Sequence, residues 1–141
     1  MATLEVEIVT PESALWNGEA SALMARSSEG QFTVLPQHTA TVGDIVPSVV
    51  RVATSSGELA FCVHGGYFQV GPGDQPGVTR ATVLAGVAEP VRSIDVERAQ
   101  AAKDDAETRL ATTVELTEGQ RAELESSRAR ADLRLSATAS R

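Results

Sequence analysis

Residues 84–100 read LAGVAEPVRSIDVERAQ, and the character of the chain changes within this stretch. The five aromatic residues, the six prolines and ten of the eleven glycines all lie at or before position 90, and only Gly119 follows. Beyond it, alanine, glutamate and arginine recur at helical spacing. Because aromatic residues favour strands, glycine and proline favour turns, and these three residues favour helices, we predict a β domain over residues 1–90 and helices over residues 91–141.

Charge, hydropathy and cysteine content limit the partners and the cellular compartment that we expect for this chain. The 141-residue chain has a net charge of −7, which disfavours binding to a nucleic-acid backbone. It has no apolar run of the roughly 18 residues that would indicate a transmembrane helix, so direct membrane insertion is not expected. The first seven residues carry acids where a signal peptide needs bases, and a single cysteine, Cys62, precludes an internal disulfide. These features favour a cytoplasmic protein.

Alternation of apolar and polar residues predicts strands in the first 90 residues. From Leu4 to Ile8, apolar residues alternate with two glutamates, as in a strand with one buried face. Asn17-Gly18 is a hairpin signal, and the breaker-rich residues 71–77 are predicted to be a loop. Many short strands at this spacing predict an antiparallel β-sandwich or a flattened barrel. Further strands are expected over residues 19–26, 31–35, 49–54, 58–63, 67–70 and 78–87.

The second part of the chain predicts two helices that pack as an antiparallel hairpin. Ser93 or Asp95 can cap the first helix, which ends near Leu110 or Ala111. Thr117, followed three residues later by Gln120, has the capping-box pattern of a second helix. The apolar stripes are thin and rich in alanine, so the hairpin is expected to be marginally stable and able to relocate. The stripes comprise Ala99, Ala102, Ala106 and Leu110 in the first helix and Leu124, Ala131 and Leu135 in the second.

Residue spacing gives no catalytic or metal-binding constellation. His38 and His64 lie in separate predicted turns, and one cysteine offers no zinc ligand set at the usual spacing, so no metal site is predicted. Cys62 lies in an apolar strand and is interpreted as a small buried side chain. The sequence shows no nucleophile elbow, phosphate loop or paired carboxylates, which argues against an enzyme with catalytic residues of its own.

Charged residues of the two predicted helices have two interpretations. Two arginines four residues apart on the second helix are neighbours, and they repel weakly unless a negative charge lies nearby. In one interpretation that charge is Glu107 or Glu123, and in the other it is a bound phosphate, because guanidinium groups match phosphate oxygens. The residues alone leave both interpretations open. The group comprises Arg130 and Arg134 on the second helix and Asp95, Arg98 and Ala99 on one face of the first.

Several short motifs occur along the chain in a fixed order. The earlier ones are TPE at 10–12, NGE at 17–19, SEG at 28–30, LP at 35–36 with His38, HGGYF at 64–68, VLA at 83–85 and AE at 88–89. They are followed by IDVERA at 94–99 and RADLRL at 130–135. This ordered set resembles the epsilon subunit of bacterial F-type ATP synthases. The last two segments are similar to that family's I-D-x-x-R-A nucleotide motif and to its second-helix arginine pair.

The resemblance implies a fold and a set of partners. The fold is mainly β plus α: an N-terminal antiparallel β-sandwich of about ten strands, residues 1–90, followed by a regulatory two-helix antiparallel hairpin, residues 91–141. The sandwich would dock on the gamma subunit and on the c-ring of the membrane sector, as a peripheral protein at the cytoplasmic face of the plasma membrane. The hairpin, when extended, would reach the alpha/beta catalytic head and block ATP hydrolysis.

The resemblance also implies functional residues. In several bacterial members ATP binds the folded hairpin as a regulatory ligand, and no other cofactor is implied. Carried over by position, the ATP-binding residues are Glu89, Ile94, Asp95, Arg98, Ala99, Arg130 and Arg134. The loops that face the c-ring contain Ser28, Glu29, Gly30 and His38.

The expected function is that of a non-catalytic central-stalk (rotor) subunit of a proton-translocating ATP synthase. It would couple the catalytic head to the c-ring and restrain ATP hydrolysis through its helices. One alternative is a free-standing nucleotide-binding regulatory protein that shares only the arginine clamp. Another is an adaptor whose hairpin forms a coiled coil, which the thin stripes and the lack of leucine heptads disfavour. Binding to gamma separates the first function from both others, and nucleotide binding separates the second from the third.

Overall fold

The computed structural model describes residues 2–139, and the chain divides into two compact units, residues 1–90 and 91–141. The strands lie in the first unit and the helices in the second, so secondary structure changes where composition changes. Pro90 is the last residue of the last strand. Its ring nitrogen carries no hydrogen with which to continue a strand ladder.

Ten strands form two five-stranded sheets within the described residues. They are β1 (Thr3–Val9), β2 (Ala14–Ala20), β3 (Ala22–Ser27), β4 (Gly30–Val34), β5 (Thr41–Ile45), β6 (Ser48–Thr54), β7 (Gly57–Val63), β8 (Gly66–Pro72), β9 (Val78–Ala85) and β10 (Ala88–Pro90). The first sheet has the order β2-β1-β9-β8-β5, and the second has the order β10-β7-β6-β3-β4.

The two sheets enclose one apolar core, which confirms the predicted β-sandwich. In β1, Leu4, Val6 and Ile8 are fully buried while the intervening glutamates are partly exposed. This pattern arises because alternate residues of a strand point to opposite faces of the sheet. Phe32 of β4 and Phe68 of β8 connect the two sheets, with ring centroids 4.4 Å apart.

One strand pair departs from the antiparallel expectation. β1 pairs in parallel with β9, from Thr3 opposite Val78 to Val9 opposite Leu84, whereas the other ladders of the described residues are antiparallel. Parallel neighbours need a long crossover, and here seven intervening strands supply it. Local periodicity cannot reveal a pairing between residues so far apart in sequence.

The prediction of a hairpin at Asn17-Gly18 is wrong. Both residues lie inside β2 and pair with β1. The chain reverses earlier, where the Thr10 amide donates to the Ser13 carbonyl at 2.9 Å and the Ser13 amide donates back at 3.3 Å. Gly18 serves a packing need, because a Cβ atom there would lie 2.8 Å from the Trp16 ring.

Two other predicted boundaries differ from the structure. The predicted strand over residues 19–26 is divided at Ser21, where the chain passes from the first sheet to the second. Gly71 and Pro72 belong to β8 and pair with β9, so the loop is confined to residues 73–77. Breaker residues do not prevent strand geometry at the end of an existing ladder.

Strand β5 has no counterpart among the predicted strands. Gly43 interrupts its apolar pattern, so periodicity does not indicate a strand there. In the structure, Gly43 faces Phe68 of the neighbouring strand, and a Cβ atom at this position would lie 2.6 Å from the phenylalanine ring. The glycine therefore makes room for an aromatic core residue.

The second unit begins with a short 3-10 turn, η1 (Val91–Ser93), followed by α1 (Val96–Thr112) and α2 (Glu118–Thr138). Asp95 is the N-cap of α1, and its carboxylate accepts the Arg98 amide at 3.1 Å. Thr117 and Gln120 form the predicted capping box at the start of α2. Because residues 113–117 form a short connection and the helices pack together, the two helices make the predicted hairpin.

The interface of the hairpin is built from small side chains. Alanine is the only residue type that is buried in α1 and α2, and larger stripe residues such as Leu110, Leu124 and Leu135 remain partly exposed. Each alanine removes little apolar area from water, so each adds little to the stability of the hairpin. The buried residues are Ala99, Ala106, Ala131 and Ala137.

Candidate functional site

Four of the predicted ATP-binding residues lie where α1 begins. Ile94 and Ala99 are buried, and Arg98 is exposed. Asp95 accepts the Arg98 amide, so its carboxylate satisfies one of the amide groups that the first turn of a helix leaves without a partner. Asp95 thus has a structural role that must be separated experimentally from any contact with a ligand.

Arg130 and Arg134 lie on α2, and both are partly buried. The Arg130 Nη1 atom donates to Ser126 Oγ at 3.0 Å, one turn earlier in the same helix. Arg130 also lines a cleft of about 570 Å³ at the connected end of the hairpin, together with Asp105 and Glu123. Within residues 2–139 it forms no ion pair with Glu123, the acidic partner considered from the sequence.

An ion pair between the helices shows how the predicted arginines are arranged. Lys103 Nζ of α1 lies 2.9 Å from Asp132 Oδ1 of α2, which places these two residues at the same height along the antiparallel pair. Distances along the helix axis follow from a rise of about 1.5 Å per residue. Arg134 lies about 4.5 Å along the axis from the level of Arg98, and Arg130 lies about 10 Å from that same level. The structure therefore brings Arg98 and Arg134 to similar heights and leaves Arg130 about two turns away.

Glu89 lies in the β unit, on β10, while the other six predicted ATP-binding residues lie in the helical unit. It is directly opposite Cys62 in the ladder between β10 and β7. Its Oε1 atom is 3.0 Å from Nε2 of His64, whose side chain is only 4% exposed. Glu89 thus contacts a histidine that residue spacing did not connect with it.

The predicted ring-facing residues occupy two separate places. Ser28–Gly30 form the turn between β3 and β4, where the Ser28 amide and hydroxyl donate to the Asp44 carboxylate at 3.1 and 3.0 Å. Gly30 has a φ of 126°, which favours glycine. His38 lies beyond the other end of β4, about 13 Å or more away at 3.3 Å per residue. A single partner surface reaches both places only if it extends along β4.

Sequence reasoning missed the partners of these residues. Asp44 fixes the Ser28 turn from another sheet, so no local pattern indicates it. Lys103 and Asp132, in contrast, each follow directly after a stripe alanine. Opposite charges at matching edges of two predicted stripes are a signal from which this ion pair could have been predicted.

Family comparisons cover nearly the whole chain. Residues 3–91 match the family described as ATP synthase, Delta/Epsilon chain, beta-sandwich domain. Residues 92–138 match the family described as ATP synthase, Delta/Epsilon chain, long alpha-helix domain. The two matches meet within two residues of the boundary between the units.

Curated relatives include several ATP synthase epsilon chains of bacteria. The chain is 44% identical to the epsilon chain of Thermobifida fusca over 107 residues, which is 74% of each chain. It is 37% identical to that of Alkalihalophilus pseudofirmus over 113 residues, 80% of each. It is also 37% identical to that of Bacillus velezensis over 129 residues, 92% of this chain and 93% of the relative.

Two solved structures share the fold. A chain of the Euglena gracilis mitochondrial ATP synthase, in a structure of OSCP, F1 and c-ring, matches with a TM-score of 0.71 and 22% identity over 90% of this chain and 76% of its own length. A chain of the Tetrahymena thermophila mitochondrial ATP synthase, in a structure of the central stalk and c-ring, matches with a TM-score of 0.57 and 16% identity over 96% of both chains.

A β-sandwich followed by a helical hairpin, with both parts matching ATP synthase domains, defines a non-catalytic accessory subunit of that complex. Within this class, the chain belongs to the epsilon chain family of bacterial F-type ATP synthases. None of the helices that the structure describes has the length and hydrophobicity needed to cross a bilayer.

The Lys103–Asp132 ion pair makes the stability of the hairpin depend on pH. The hydrogen bond to Asp132 and the charge of that carboxylate raise the pKa of Lys103 above its ordinary value of 10.5. Because the folded form holds the proton more tightly, this stabilisation is complete below pH 10.5 and is lost as pH rises through the raised pKa. We therefore expect Lys103→Met to destabilise the hairpin near neutral pH and to differ less from the parent protein above pH 10.5.

The measurement is thermal unfolding of both proteins, followed by far-ultraviolet circular dichroism at several pH values. Lys103 lies on the protein surface, so we expect a small effect that added salt weakens. A difference between the two proteins that stays constant across pH 10.5 would contradict the assignment.

Proposed function

We propose that this chain is a rotor subunit of a proton-translocating ATP synthase, in which the β-sandwich docks and the hairpin regulates. The observation that carries the proposal is the contrast between the two units. The sandwich encloses a core of large apolar side chains, whereas the packed face of the hairpin buries only alanines. A well-packed unit suits stable docking, and a weakly held unit suits a conformational switch.

The outer face of the first sheet offers a docking surface for the gamma subunit. Val42, Tyr67 and Leu84 lie on the neighbouring strands β5, β8 and β9, and they are 74%, 67% and 45% exposed. Tyr67 and Leu84 are direct cross-strand partners. We call these three residues the outer apolar strip. Exposed apolar side chains grouped on one face are typical of a protein-protein interface.

The turn Ser28–Gly30 is the part of the sandwich that we assign to the c-ring. Two hydrogen bonds to Asp44 hold the turn in place, and they leave Glu29 exposed at its tip. A fixed turn can bind a partner without losing much conformational freedom. Contact with the c-ring would hold the chain at the cytoplasmic face of the plasma membrane as a peripheral protein. His38 lies at the far end of β4, so it would contact the c-ring only if the contact surface extended along that strand.

The hairpin is the regulatory element in this proposal. Its two helices have caps of their own, and the Lys103–Asp132 ion pair joins them. Because little apolar area is buried between them, a modest difference in binding energy between two arrangements is enough to shift the equilibrium. Extension toward the alpha/beta head would block ATP hydrolysis, and a ligand of the folded hairpin would oppose that extension.

Replacement of the outer apolar strip tests docking. We expect the double variant Tyr67→Glu, Leu84→Glu to bind gamma at least about a hundredfold more weakly, because hot-spot residues at interfaces often contribute 2 kcal/mol or more each. The measurement is the affinity of the purified chain for gamma. Val114→Glu is the matched control, because Val114 is 95% exposed but lies in the hairpin connection. Unchanged affinity in the folded double variant would show that gamma binds elsewhere.

Removal of residues 91–141 tests regulation. We expect the complex assembled with the shortened chain to synthesise ATP at a nearly unchanged rate and to hydrolyse ATP faster, because the blocking element is gone. The measurement compares both rates in complexes whose subunit composition has been verified. If the shortened chain is incorporated and the hydrolysis rate stays the same, the hairpin is not inhibitory.

ATP is the regulatory ligand that we propose for the folded hairpin, with Arg98 and Arg134 on its phosphates. Charge-assisted hydrogen bonds contribute roughly 1.5–3 kcal/mol, so we expect Arg98→Ala to weaken ATP binding roughly tenfold to a hundredfold. Arg128→Ala is the matched control, because Arg128 is an exposed arginine of α2 outside the predicted set. Calorimetric titration of the full chain with ATP is the measurement, and no heat from folded protein at millimolar ATP would exclude sensing.

Asp95 needs a variant that separates its two roles. Asparagine caps helices about as well as aspartate, so Asp95→Asn keeps the cap and removes the charge. A loss of ATP affinity in this variant, without a loss of helix content, would assign Asp95 to the ligand. Unchanged affinity would limit Asp95 to its capping hydrogen bond with the Arg98 amide.

A further inference from the structure

The turn between β4 and β5 contains a strained residue. The His38 amide donates to the Leu35 carbonyl at 3.1 Å, which closes a four-residue turn with Pro36 and Gln37 at its centre. Gln37 has a φ of 71°, and no other non-glycine residue that the structure describes has a positive φ. A proline followed by a residue near this angle is typical of a type II turn, whose second central position favours glycine. Gln37 therefore holds a backbone conformation that its side chain disfavours.

The hydrogen bonds of this turn do not need the glutamine side chain. The Gln37 amide donates to Thr79 Oγ1 on β9 at 2.8 Å, and the other bond joins main-chain groups of Leu35 and His38. Glycine at position 37 would keep both bonds. The Gln37 side chain is exposed and makes no hydrogen bond or ion pair with residues 2–139. No polar contact within the described chain thus offsets the strain that this side chain brings.

We infer that the Gln37 side chain contacts the gamma subunit, so that its strain is offset only in the complex. Strained backbone conformations persist mainly at functional sites, where another requirement outweighs their cost. A carboxamide donates and accepts hydrogen bonds at once, so it suits a main-chain or polar group on the partner surface. This contact, which rests on the proposed docking of gamma, adds a residue outside the sheet to that docking surface.

The turn lies close to the proposed docking surface. Leu35, at the start of the turn, is an exposed apolar side chain, and Val42 of the outer apolar strip follows Gln37 by five residues. Five residues span at most about 18 Å. An interface of standard size covers roughly 800 Å² of each partner, which corresponds to a patch about 30 Å across. One surface of gamma can therefore cover Val42 and Gln37 together.

Two substitutions at position 37 separate strain from contact. Gln37→Gly removes both the side chain and the strain, whereas Gln37→Ala removes the carboxamide and keeps a Cβ atom in the left-handed conformation. We expect Gln37→Gly to raise the thermal unfolding midpoint of the full chain by a few degrees, because relief of strain outweighs the freedom that glycine adds to the unfolded chain. Gln37→Ala should leave the midpoint nearly unchanged. Circular dichroism during heating measures both.

Both variants should bind purified gamma about tenfold more weakly than the parent chain, because a hydrogen-bonding group of gamma would lose its partner. Calorimetric titration at low and high salt is the measurement. The loss should persist at high salt, since residues 30–43 contain no acid, lysine or arginine. Gln100→Ala is the matched control, because Gln100 is an exposed glutamine of α1, and its affinity for gamma should equal that of the parent chain.

The outcomes distinguish this contact from the docking on which it rests. Unchanged gamma affinity in both Gln37 variants, while Tyr67→Glu, Leu84→Glu disrupts binding, would overturn the role of Gln37 and leave the docking surface intact. Weaker binding in Gln37→Gly but not in Gln37→Ala would assign the effect to the backbone and would also overturn it. Weaker binding in the Gln37 variants alone would support the contact and move the docking surface off the outer apolar strip. A parent chain that does not bind gamma would overturn both.

Discussion

The first sheet depends on the pairing of β1 with strands on both of its sides. β1 forms an antiparallel ladder with β2 and a parallel ladder with β9, so it joins the N-terminal hairpin to β9, β8 and β5. Its apolar residues from Leu4 to Ile8 are fully buried, which anchors the strand in the core. The outer apolar strip lies on the three strands beyond it. The proposed docking surface therefore rests on a sheet that β1 completes.

The two units bury side chains of different size, and this difference matches their proposed roles. Large side chains such as Phe68 fill the space between the sheets, and Gly43 provides the room for that ring. Core packing of this kind resists rearrangement of the two sheets, because moving a large side chain out of the core would leave a cavity. The helices instead meet through alanines and the Lys103–Asp132 ion pair. Such an interface can separate and re-form without the loss of a core.

Local signals in the sequence were reliable where local forces determine the structure. The strand alternation from Leu4 to Ile8 and the capping residues Asp95 and Thr117 depend on neighbours in sequence, and the structure confirms them. Asn17-Gly18 failed as a turn signal because Trp16 packs over the glycine in an extended strand. Long-range pairing was beyond any local pattern.

The candidate sites show the same division. The height of Arg98 relative to Arg134 follows from an antiparallel hairpin, which was predicted, but the distance of Arg130 requires the register that Lys103 and Asp132 provide. Glu89 and His64 are 25 positions apart in sequence, and their approach depends on the ladder between β7 and β10. Residue spacing does not indicate that Glu89 and His64 are in contact.

The caps of the helices have a consequence for how the hairpin can rearrange. Asp95 satisfies the start of α1, the capping box of Thr117 and Gln120 satisfies the start of α2, and the Thr113 amide bonds to the Arg109 carbonyl at the end of α1. Each helix would thus keep its own end caps if it moved as a rigid rod. Opening of the hairpin would then require new backbone dihedral angles only in residues 114–116, between the two caps. The hydrogen bonds of both helices would stay the same along such a path.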